Sequence, residues 1–152
     1  MKIKFLFIAA IVTLSVFKVQ AQGAGILKDS VASILKHVIE RIGTSADNII
    51  WSTHEFRADY SDQTYLIYRY SRDTSLRIGI KREDVYVAVH IYIILPQSYT
   101  STVQLVLASL NYKPTDGADA AYANEFVKAR DTIIWQRYAE NGMMVLRVTE
   151  NY

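Results

Sequence analysis

Three histidines, His37, His54 and His90, are the side chains best suited to holding a metal or moving a proton near neutrality. Their spacing matches no HxH, HExxH or HxxEH array, so any metal site would have to be assembled by the fold. His54-Glu55 and the stretch from Asp59 to Asp62 supply nitrogen and oxygen donors. Adjacent residues of a strand point to opposite faces, however, and cannot chelate together without a bulge. Nucleophilic chemistry has no firmer footing: there is no cysteine and no Gly-x-Ser-x-Gly elbow. The six glycines form neither GxGxxG nor GxxxxGK[ST], so no phosphate cradle is written in the chain. Glu83-Asp84 is a carboxylate pair, but it sits in a charged turn where polarity is expected anyway. No residue is therefore assigned to catalysis, to a metal or to a cofactor, and the reading leans away from an enzyme.

Tyrosine is the residue type that stands out, with eleven in 152 residues. Tyrosine and arginine anchor interfaces because they combine a large contact area with a polar tip. The segment Val85 to Leu95, VYVAVHIYIIL, alternates with period two: its odd positions are all aliphatic, and its even ones begin Tyr86, Ala88, His90 and Tyr92. Thr74 to Lys81 alternates too, with Leu76, Ile78 and Ile80 opposite Ser75, Arg77, Gly79 and Lys81. Pairing Ile80 with Val85 aligns the two apolar stripes and sets Tyr86 over Gly79, whereas a one-residue slip would bury Lys81. The non-core face then carries Arg77, Lys81, Tyr86, His90 and Tyr92, joined by Tyr65 and Arg69 if Thr64 to Ser71 buries Leu66, Tyr68 and Tyr70. These seven residues are the candidate partner-binding set.

The elements that must position this face follow from periodicity. Ile26 to Ile42 reads as an amphipathic helix with Leu27, Val31, Ile34, Leu35, Val38 and Ile42 on one side and Gly43 as its stop. Ile49 to Arg57 is expected to be a first strand. Pro96 ends the long strand, and Val103, Val106, Leu107 and Leu110 mark a second helix. A loop at Lys113 to Gly117 follows, and Asp119 to Phe126 is ambiguous. Asn141-Gly142 supplies the positive-φ pair of a type I′ hairpin turn. That turn sets Glu140 against Met143 and Gln136 against Arg147, with Ile133, Trp135 and Ala139 sharing a face with Met144, Leu146 and Val148. Ile49-Ile50-Trp51 and Ile133-Ile134-Trp135 echo one another and raise a duplicated helix-then-strands unit, although three residues are too few to establish one. Runs of strands between two helices predict an α+β fold: an antiparallel sheet of about six or seven strands with two amphipathic helices on one face.

Residues 1–21 read as a signal peptide: Lys2 and Lys4, an apolar run from Phe5 to Phe17, then Val19-Gln20-Ala21 as a cleavage pattern. The run is too short to span a bilayer, so no membrane span is expected in the mature form. Removing these residues takes away three lysines and no acid. Seventeen basic residues become fourteen against fifteen acidic ones. A mature charge of −1 gives no reason to expect nucleic acid as a partner. Residues 22–152 are expected to form a single periplasmic or secreted domain without disulfides. The function these readings favour is a non-enzymatic binding module taking another protein, or a surface glycan, on the Tyr/Arg face. A small hydrolase or ligand carrier with a helix–sheet pocket near His90 or His54 is the alternative class. An inhibitor or immunity-type protein would share the physics of the first reading. The sequence sets no oligomeric state.

Overall fold

A computed structural model describes residues 31–50, 55–61, 63–117, 119–137 and 140–151. Residues 31–40 are helical (α1), and Val31, Ile34, Leu35, Val38 and Ile39 are buried along one side. The part of the expected helix before residue 31, and Trp51 to His54 of the expected first strand, lie outside the described residues. Gly43 closes the turn after α1 with φ +82°, a conformation open to glycine at no steric cost. Ile49 and Ile50 do not begin a strand. They end a short second helix, α2 (Ala46–Ile50), and both are buried.

Eight strands follow: β1 (Phe56–Ser61), β2 (Tyr65–Tyr70), β3 (Arg77–Lys81), β4 (His90–Pro96), β5 (Lys113–Pro114), β6 (Glu125–Lys128), β7 (Asp131–Gln136) and β8 (Met143–Glu150). Helix α3 (Thr100–Ser109) separates the first four from the last four. All pairings are antiparallel, in the order β1-β2-β3-β4-β8-β7-β6-β5. The architecture is the expected α+β one, with two more elements than the sequence suggested: an extra short helix and a slightly wider sheet. Two helix-then-four-strand units meet at β4 and β8, so the topology does repeat. The Ile-Ile-Trp echo is not its marker, because Ile49 and Ile50 lie on α2 while Ile133 to Trp135 lie on β7.

One face of the sheet is the core. Ile78, Ile80, Ile91, Ile93, Leu95, Ile133, Trp135, Met144, Leu146 and Val148 are fully or almost fully buried there. They form one cluster with the apolar sides of α1, α2 and α3, including Val103, Val106 and Leu107. Both helices found by periodicity therefore pack on the same face.

The register expected between β3 and β4 moves. Ile80 faces Ile91 rather than Val85, Ile78 faces Ile93 rather than Val87, and Gly79 faces Tyr92 rather than Tyr86. Residues 85–89 are not a strand, since their backbone serves the α1–α2 connection instead. The Ala46 N–H donates to Val85 O (2.9 Å), Ala88 N–H to Thr44 O (2.7 Å), and Gly43 N–H to Ala88 O (3.0 Å). Ala88 is buried by this bridge, whereas Val87, expected in the core, is 44% exposed. The hairpin shifts as well: Gln136 faces Val145 rather than Arg147. Asn141 (φ 64°) and Gly142 (φ 69°) do take the positive-φ conformation, but at the end of a longer loop between β7 and β8. Both shifts are even, so the side chains that remain within β3, β4, β7 and β8 keep their faces.

His37 ties α1 to α2. Arg41 Nη1 donates to His37 Nδ1 (2.8 Å), which leaves Nε2–H to donate to the Ile49 carbonyl (3.1 Å). This arrangement needs the neutral ring. Burial, followed by the Arg41 charge, lowers its pKa from 6.5 against the opposing pull of the Ile49 and Asn48 carbonyls and of Glu40. A histidine with a depressed folded pKa destabilises the fold as pH falls, because the unfolded chain takes up the proton first. The urea midpoint is expected to drop as pH falls from 6.5 toward the lower folded value. His37→Gln should flatten that part of the profile.

Candidate binding face

Alternation leaves the second face of the sheet to the residues between the buried ones, and the registers arrange them in rows. One row runs Arg57, Arg69, Arg77, Ile94, Val145, Gln136 across six strands. The next runs Ile67, Gly79, Tyr92, Arg147, Ile134, Glu125. Tyr65 lies opposite Lys81, and His90 opposite Thr149. The described helices all pack on the other side. Ile67, Tyr92, Ile94, Ile134 and Val145 are each only half-buried, which is unusual company for an open surface.

Six of the seven expected residues, Tyr65, Arg69, Arg77, Lys81, His90 and Tyr92, share this face. Tyr86 does not. It stands 86% exposed on the loop after β3, because residues 85–89 left the strand. Tyr65 and Arg69 join the face much as the conditional reading requires: Tyr70 is fully buried on the core side and Tyr68 packs against the core, while Leu66 is half-buried. The rings of Tyr65 and Tyr92 meet edge to face, centroids 5.3 Å apart and planes at 80°. They reach each other across β3, where Gly79 opposite Tyr92 has no side chain to intervene. The aromatic cover over a bare glycine is thus real, with Tyr92 as the ring.

Ion pairs organise the cations. Asp59 accepts from Arg69 Nη2 through both oxygens (2.8 and 2.9 Å) and lies 3.8 Å from Arg77 Nε. Lys81 pairs with Glu83, which raises the lysine pKa and lowers the carboxyl pKa through their mutual hydrogen bond and charge. Both groups are exposed, so the pair counts for little in stability. His90 Nδ1 contacts Asp84 Oδ2 at 2.9 Å. Arg57 and Arg147 are exposed and make no ion pair among the described residues.

Sequence reasoning missed Arg57, Asp59, Arg147 and the aliphatic residues Ile67, Ile94, Ile134 and Val145. The alternation of the last hairpin already put Arg147 on its outward side. What was missing was the pairing of β8 with β4, which carries that side onto the tyrosine face.

A pocket of about 270 Å³ opens at the β1–β2 end of the sheet, lined by Arg57, Arg69, Tyr70, Ser71 and Thr74. It includes no histidine, and His54 lies outside the described residues. Among the described residues no three His, Cys, Asp or Glu side chains gather as a metal site, and no helix is long and apolar enough to cross a membrane. No protein-family model matches the chain, and no curated protein and no solved structure matches it either.

Proposed function

We propose that the chain is an exported, non-enzymatic binding module that takes a protein partner on the open face of its sheet. The observation that carries the reading is the composition of that face. A half-buried apolar centre of Tyr92, Ile94, Val145 and Ile134 is bordered by Arg57, Arg69, Arg77 and Arg147. Protein interfaces have this anatomy, with aromatic and aliphatic residues at the centre and arginine prominent around them. The arginines call for a partner whose rim is acidic, since complementary charge steers the encounter and fixes its register. Export is read from the N-terminal lysines, apolar run and cleavage pattern within residues 1–21.

Photo-cross-linking tests the reading directly. A benzoylphenylalanine in place of Tyr92 is expected to trap one protein in the envelope or culture fluid. The same group at Leu105, 72% exposed on α3 and so on the opposite layer, should trap none. Cross-links from Leu105 alone, or from neither position, would count against the open face.

A further inference from the structure

The registers place Arg57 directly opposite Arg69, and Arg69 directly opposite Arg77, so three guanidinium groups stand side by side on adjacent strands. Like charges facing each other across a ladder destabilise a sheet. Among the described residues only Asp59 pairs with the ladder on this face, and it engages Arg69 and Arg77 but not Arg57. Two acids close in sequence to the ladder are engaged elsewhere. Glu55 pairs with Arg72 (2.7 Å), and Asp73 accepts from the Tyr99 hydroxyl (2.6 Å) and the Ser75 N–H (3.0 Å). Arg69 Nε is buried and has no hydrogen-bond partner among the described residues. Beside these groups lies the pocket of about 270 Å³, to which Ser71 and Thr74 add hydroxyl donors. A ladder of three arginines sharing one carboxylate thus borders a concave spot that Arg57, Arg69, Ser71 and Thr74 line.

We infer that this notch is a binding site for a tetrahedral oxyanion, a phosphate or phosphate monoester. Guanidinium forks present paired N–H groups that match phosphate oxygens. Arg57 offers a guanidinium in no ion pair among the described residues, and Ser71 and Thr74 line the same pocket, a mixed donor set that suits an anion with three or four oxygens better than a flat carboxylate. Such a ligand would offset the repulsion along the ladder. The inference does not rest on the protein-docking reading: Arg57 and Arg69 also border the docking face, but the pocket lining includes none of its apolar centre of Tyr92, Ile94, Val145 and Ile134.

Titration calorimetry and thermal melts of the full chain would use inorganic phosphate, glycerol phosphate and acetate, each against sodium chloride at matched ionic strength. Saturable stabilisation by either phosphate probe is expected, and which of the two binds more tightly tells whether the free ion or an ester is the natural form. Arg57→Gln should weaken binding about tenfold, the loss of one charge-assisted contact. Arg57 is exposed on an edge strand, so the variant should fold like the parent. Ser71→Ala with Thr74→Val provides a second variant with the same expectation. Tyr92→Ser should bind phosphate normally, which keeps this site distinct from the docking face. The inference is overturned if neither phosphate probe stabilises beyond sodium chloride, if acetate binds as well as phosphate, or if Arg57→Gln responds like the parent.

Discussion

Replacing Trp135 with alanine is expected to destabilise the protein by about 3–5 kcal/mol, as measured by urea unfolding. Domains of this kind have a total stability of roughly 5–15 kcal/mol, so this one substitution should remove a large share of it. The reasoning starts from burial: the ring is 1% exposed, on β7 in the middle of the second meander. Its indole N–H points at Met144 Sδ (3.2 Å), and the Phe126 ring lies 6.2 Å away at 44°. The Arg137 guanidinium stacks on it, 3.9 Å from the ring, while donating to the carbonyls of Ala121 and Ala123. Removing the indole therefore opens a cavity and also takes away the platform that orients Arg137 over the 119–124 turn. Trp135→Phe keeps a ring for both contacts and should lose much less. Equal losses for the two variants would mean that the ring packing described here is not what holds β7.

Ile94→Glu is expected to weaken the binding of the protein partner by at least about thirtyfold, the effect of losing a central interface anchor worth about 2 kcal/mol. The fold should tolerate it. Ile94 is half-buried on the outward face and lies opposite Arg77, which can pair with the new carboxylate. The remaining cost is a lower strand propensity, about 1 kcal/mol at most. An unfolding midpoint that collapses instead would show that Ile94 belongs to the core. The comparison separates the two faces of β4, because Ile93, one residue away, is fully buried.

How much of this was legible in the sequence divides by range. Periodicity alone located α1 and α3, the buried stripe of β3 and the aliphatic side of β4, because the period of a helix or strand is a local property. It also fixed which side chains share a face, and that survived both register shifts for the residues that stay in strands, though not for Tyr86, Val87 and Ala88. Register itself was not local. Val85 to Val89 alternate like a strand, yet their backbone groups bond to Gly43, Thr44 and Ala46, residues some forty positions earlier. Likewise Asn141-Gly142 takes positive φ as expected, but the loop before it is longer than a two-residue turn, so the pairing slides. Ile49 and Ile50 suit a strand by type and end a helix by context, since tertiary packing overrides weak propensity. The candidate face suffered most from the missing long-range contact. Without β4 against β8, Arg147, Val145 and Ile134 could not be joined to Tyr92 and Ile94. The arginine ladder was hidden for a similar reason, because β1 was started too early for Arg57 to be set against Arg69.

The most direct test of the open-face reading is affinity capture from the native envelope and culture fluid, using the full chain with a C-terminal tag and its Ile94→Glu variant side by side. The account predicts a stoichiometric acidic protein partner retained by the parent and lost by the variant, with both forms showing the same far-ultraviolet circular dichroism. A partner held equally by both forms, or none held by either, would contradict it.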